Sequence, residues 1–96
     1  MAYHYTIQRA SYEESEDPKD LFVSEESYKQ ALKSLENNPT FFPWASAFAY
    51  QSGRIDFEAL EWNPDEPGVS QAAGVLAKQL NARIFGENDE EYQVSK

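Results

Sequence analysis

The order of periodic segments in this 96-residue chain predicts an α+β fold of the ferredoxin-like kind: a split βαβ (βαββαβ) in which an antiparallel sheet carries two helices on one face. Three observations predict it. Strand-like stretches occur at 3–9, 44–50, 54–61 and 82–86, the first three with side chains that alternate in character from one face to the other. Two stretches with apolar residues at helical spacing, within 23–39 and 63–82, fall after the first and third of these. Ser52-Gly53 supplies a two-residue turn that joins the middle strands into a hairpin. Residues 1–96 form a single domain, because two halves would each be too small to bury a core.

The first strand places Tyr3, Tyr5 and Ile7 on one face and His4, Thr6 and Gln8 on the other. An acidic loop, 11–20, follows. The first helix opens at Ser24, whose hydroxyl can cap an orphan amide, with Glu25 and Glu26 in the first turn. Its buried stripe is Tyr28, Ala31, Leu32 and Leu35, and Asn37-Asn38-Pro39 ends it. "WASAFAY" (44–50) then reads as an edge strand with Trp44, Ser46, Phe48 and Tyr50 on the core face. With Ser52-Gly53 as the turn, Tyr50 faces Ile55, Phe48 faces Phe57 and Ser46 faces Ala59; on the outer face Ala49 meets Asp56 and Ala47 meets Glu58.

Pro67 suits the first position of the second helix, and Val69, Ala72, Ala73, Leu76 and Leu80 make its buried stripe. Asn81 suits a left-handed exit. A strand at 82–86, a turn at Asn88-Asp89, a short return and a frayed tail at 93–96 complete the chain.

The run "AAGVLAKQLNARIFGENDEEY" (72–92) resembles the closing segment of a group of small, uncharacterised bacterial proteins. In that group an alanine-rich helix ends in a Leu-Gly-Ala-like step, followed by a short strand, Gly-Asp-Asp-Gly-Glu and an aromatic. Leu80-Asn81-Ala82 stands for the step, and Gly86, Asp89, Glu90 and Tyr92 approximate the rest; Asn81 and Glu90 depart from it where glycines are usual. The resemblance implies a bacterial source and supplies no catalytic residues.

Charge and composition exclude several functions. Seventeen acids against eight scattered bases give a net charge of −9, which argues against nucleic acid and anionic membranes and for a basic protein partner. The absence of cysteine removes disulfides and thiolate chemistry. No apolar run reaches the ~20 residues of a membrane span, and no signal peptide is visible, so a cytoplasmic location is expected. His4, the single histidine, has no cysteine or second histidine to share a metal, and "GENDEEY" (86–92) and "EESED" (13–17) lack the ligand alternation of a calcium loop. No metal and no cofactor are expected. Nor is there a Ser-His-Asp set, a P-loop or a dinucleotide glycine pattern, and the expectation is that the chain is not an enzyme.

Two groups remain as partner-binding candidates. Asp56 and Glu58 share the outer sheet face. Phe41, Phe42, Trp44 and Trp62 are expected at one end of the hairpin, as a recognition patch or as the closing layer of the core. The expected function is a non-enzymatic protein-interaction module of inhibitor or immunity type. The alternative is a small-ligand-binding or catalytic ferredoxin-like domain with a site at a dimer interface; a pocket lined by Tyr5, Tyr50 and a desolvated Asp56 would favour it. The alanine-sided edge strand at 44–50 suggests a homodimer formed edge to edge.

Overall fold

The computed structural model describes residues 2–14 and 16–93. The elements are β1 (Tyr3–Gln8), α1 (Glu25–Glu36), β2 (Ala49–Gln51), β3 (Arg54–Ala59), α2 (Val69–Gln79), β4 (Arg83–Phe85) and β5 (Glu91–Tyr92), with 3-10 turns at Pro18–Leu21 and Phe42–Ala47. The strands form one sheet in the order β2-β3-β1-β4-β5, and each neighbouring pair is antiparallel. The chain is thus a mixed α/β globule. In it α1 links β1 to β2 across β3, and α2 links β3 to β4 across β1.

Both helices pack on each other and over one face of the sheet. Tyr5 and Ile7 of β1, Ile55 and Phe57 of β3 and Ile84 of β4 meet Tyr28 and Leu35 of α1 and Ala72, Ala73 and Leu76 of α2. Each fully buried Ile or Leu contributes about 1.5–3 kcal/mol, so this layer is the main stabilising term. The small residues of α2 let it lie close to the strands. Ser24 caps α1 through its hydroxyl, which accepts from the Ser27 amide at 3.1 Å. Asn81 leaves α2 with φ +53°, the left-handed step. The hairpin turn has Ser52 at φ +52° and Gly53 at φ +87°, and it sets Tyr50 opposite Ile55 and Ala49 opposite Asp56.

Three expectations are corrected. The strand at 44–50 exists only as Ala49–Gln51; Phe42–Ala47 is a 3-10 turn. Pro43 favours the start of such a turn, and Ala45, Ala47 and Ala49 have little preference for a strand. The buried residues of the stretch are accordingly Ala45 and Phe48, three apart, while Ser46 and Ala47 are exposed. The Ser46–Ala59 and Ala47–Glu58 pairs do not form, and the edge is three residues long rather than seven. Phe48 still reaches Phe57, with ring centres 5.3 Å apart.

The second correction concerns α2, which starts at Val69 behind Gly68, so Pro67 lies outside it. Third, the outer sheet face is only partly free. The segment after β1 folds back on it: Tyr12 lies under the Arg54 guanidinium, its amide donates to Asp89, and Glu14 pairs with Arg83. Within the acidic loop, whose order the sequence leaves open, Ser11 is buried and Pro18–Leu21 forms a 3-10 turn, with the Arg9 amide donating to the Leu21 carbonyl at 2.8 Å. Of the tail expected to fray at 93–96, residues 94–96 lie outside the described residues.

Candidate interaction face

Strand alternation decides what the outer face presents. β1 contributes His4, Thr6 and Gln8; β3 contributes Arg54, Asp56 and Glu58; β4 and β5 contribute Arg83, Phe85 and Glu91. The face divides in two. At the end where β1 finishes, Arg83 binds two carboxylates at once. Its Nη1 and Nη2 donate to Glu14 at 2.7 and 2.8 Å, and its Nη2 and Nε donate to Glu91 at 2.7 and 3.1 Å. Hydrogen bonds from Arg83 hold the Glu14 carboxyl below its ordinary range, and the same bonds, Glu14 first, push the Arg83 guanidinium still higher. Phe85, 2% exposed, is buried beneath this covered half.

At the other end the face is open. His4 stands between Asp56 and Glu58, with Nε2 3.7 Å from Asp56 Oδ1 and Nδ1 3.7 Å from Glu58 Oε1. The side chains of His4, Asp56 and Glu58 are 48%, 30% and 65% exposed. The Thr6 hydroxyl donates to Asp56 Oδ1 at 3.1 Å. That bond points the hydroxyl at the acid rather than at the imidazole, so no hydroxyl–histidine–carboxylate relay is formed; the histidine contacts are also longer than proton transfer needs. Among the described residues, no group of three or more His, Asp or Glu is placed to hold a metal ion.

The aromatic candidates do not form one patch. Trp62 packs on Tyr5, Phe57 and Tyr92, with ring centres 5.7, 6.5 and 5.7 Å away, and its indole N–H donates to the Gln93 carbonyl at 3.0 Å. It closes the core. Phe41 and Trp44 are half-buried against the core, and Phe42 alone stands out, 61% exposed. Tyr5 and Tyr50 lie on the helix side of the sheet and Asp56 on the outer side, so these three line no common pocket. A cavity of about 470 Å³ lies where α2 begins, with Glu58 and Glu61 in its wall.

The expected turn at Asn88-Asp89 forms, with Asp89 at φ +63° and β5 paired to β4, but sequence reasoning missed how it is anchored. The Tyr3 hydroxyl donates to the Glu90 carboxylate at 3.0 Å and accepts from the Glu87 amide at 3.0 Å, and the Asn88 amide donates to the same carboxylate at 3.1 Å. The Glu90 carboxylate lies over Gly86, in the space a β-carbon would take. Partial burial, with the Glu90 charge adding to it, raises the Tyr3 hydroxyl above its ordinary pKa against the opposing Glu87 hydrogen bond. The Gly-x-x-x-Glu spacing is visible in the sequence, but its partner Tyr3 is 87 residues away.

Compared with known proteins, the chain matches no family model, no curated protein and no solved structure. No helix among the described residues is long and apolar enough to cross a membrane.

Proposed function

We propose that this chain is a non-enzymatic protein-interaction module that docks a basic partner on the open half of its outer sheet face. Its architecture is read as ferredoxin-like with one added edge strand, because β2-β3-β1-β4 has each helix linking strands across a third. The observation that carries the function is the exposed row His4, Asp56 and Glu58 on two paired central strands, with Glu87 beside it through the His4 amide at 3.3 Å. A flat, wet, acidic surface of this kind steers a basic partner and contributes to association rate. An inhibitor or immunity-type role fits this chemistry.

The test is capture of binding proteins from the native host, followed by association kinetics with Asp56→Lys/Glu58→Lys. Steering charges are screened over about 10 Å at 0.1 M ionic strength, so association should slow by roughly tenfold or more and lose its salt dependence. The variant should keep its melting temperature, since both side chains are solvent-accessible. Association as fast as the parent's would exclude this face, and exposed Phe42 would become the better anchor.

A further inference from the structure

The covered half of the outer face encloses a cavity of about 320 Å³ between β1, β3, the segment after β1 and the β4–β5 turn. This is near the lower bound of small-molecule pockets, roughly 300–1,000 Å³. Its wall includes Gln8, Tyr12, Arg54, Phe85, Glu87 and Asp89. Three features of that wall point to a ligand.

Gln8 is 1% exposed, and its Nε2 donates to the Ala10 carbonyl at 2.7 Å. Its Oε1 is buried with no donor among the described residues. A buried amide oxygen without a donor is destabilising, and natural structures rarely leave one so. Because the nitrogen is fixed by Ala10, the free end is an acceptor, and what is missing is an N–H or O–H.

Arg54 holds its guanidinium 5.7 Å from the Tyr12 ring centre and, among the described residues, has no carboxylate at ion-pair distance. Arg83, on the same face, has two. A guanidinium stacked on a ring keeps its N–H edge for a carboxylate. Across the cavity, Glu87 and Asp89 bring negative charge on a turn held by Tyr3 and Tyr12. Phe85 supplies an apolar wall.

We propose that this cavity binds a free α-amino acid, its carboxylate on Arg54 and its ammonium toward the Gln8 amide oxygen and the Glu87 and Asp89 carboxylates. One cation, two carboxylates, an acceptor short of a donor and two rings select for a small zwitterion over a simple anion or cation. The proposal shares only Glu87 with the acidic-face reading, whose His4, Asp56 and Glu58 do not line this cavity.

The experiment is an NMR titration of the full chain with each of the common L-amino acids, and with acetate plus methylammonium as the divided control. At least one amino acid should give saturable shifts centred on Gln8, Arg54 and Phe85 with a Kd at or below about 1 mM. Arg54→Met, which keeps the stem over Tyr12, should weaken it roughly 10–100-fold, as the loss of a charge-assisted hydrogen bond does. Gln8→Met should weaken it as well; if that variant does not fold, the half-exposed Arg54 site decides alone. The proposal is overturned if no amino acid saturates, if Arg54→Met binds like the parent, or if the divided control matches the best amino acid.

Discussion

Phe48→Ala probes the junction between the 3-10 turn and β2, where the expected strand gave way. Phe48 is 7% exposed, its ring centre lies 5.3 Å from that of Phe57, and its carbonyl accepts from the Tyr28 hydroxyl at 3.4 Å. Truncating a buried phenylalanine costs about 3–5 kcal/mol, of which the ring–ring contact is about 0.5–1.5 kcal/mol. A domain of this size has roughly 5–15 kcal/mol in all, so about a fifth or more is at stake. Unfolding entropy near 2.1 cal/mol/K per residue gives about 0.2 kcal/mol/K for the chain, and the melting temperature should fall by about 15–25 °C. Urea unfolding followed on Trp44 and Trp62 fluorescence measures the free energy, and calorimetry the midpoint. Phe48→Leu keeps an apolar body and should lose much less. A companion pair separates turn from strand. Ala45 is buried and Ser46 exposed, so Ala45→Asp should be severely destabilising and Ser46→Asp nearly silent. A strand over 44–50 demands the reverse. A loss below about 1 kcal/mol for Phe48→Ala, or a reversal of the Ala45 and Ser46 effects, would refute the placement.

Gly86→Ala should lower the melting temperature, because its β-carbon would displace the Glu90 carboxylate from Tyr3; in a Glu90→Ala background the same change should cost less, and a thermodynamic cycle showing plain additivity would refute the contact. Glu14 has its folded pKa depressed by Arg83, so its contribution is fully present above the ordinary carboxyl value of 4.5 and is lost as pH falls through the depressed one. Carboxyl NMR should find Glu14 titrating low in the parent and at an ordinary value in Arg83→Met; equal values in both would exclude the ion pair.

Local chemistry announced most of the scaffold. Ser24, Asn81 and Ser52-Gly53 act through their immediate neighbours, so the cap, the exit and the turn were legible, and the turn then fixed the Tyr50–Ile55 register. The stretch 44–50 misled because alanine alternation copies the period of a strand without its propensity, while Pro43 just before it favours a turn. The same face carried a second surprise. Alternation correctly put Thr6, Gln8 and Asp56 on the outer side, but nothing local to Tyr12 or Glu14 says that they fold over it. Those contacts join residues 69 apart for Glu14–Arg83 and 77 apart for Tyr12–Asp89, and only the closed sheet brings them together. Asp56 and Glu58 were therefore legible as a candidate, whereas the Gln8–Arg54 cavity was not.

The division of the outer face also bears on why binding, rather than chemistry, is the reading to pursue. Catalysis draws on charges held in a site that excludes water, where their fields are not screened. At the His4 end the imidazole and the two carboxylates are 30–65% exposed, so their interactions are weak and salt-dependent, which fits the proposed capture of a partner. At the Arg83 end the charges are better ordered, but Arg83 spends its donors on Glu14 and Glu91 and leaves little for a substrate. Between them, among the described residues, Gln8 has a buried acceptor short of a donor and Arg54 a cation without a carboxylate, two unmet demands that the proposed ligand would satisfy. Under the two proposals made above, the open half supplies long-range attraction and the covered half short-range selection.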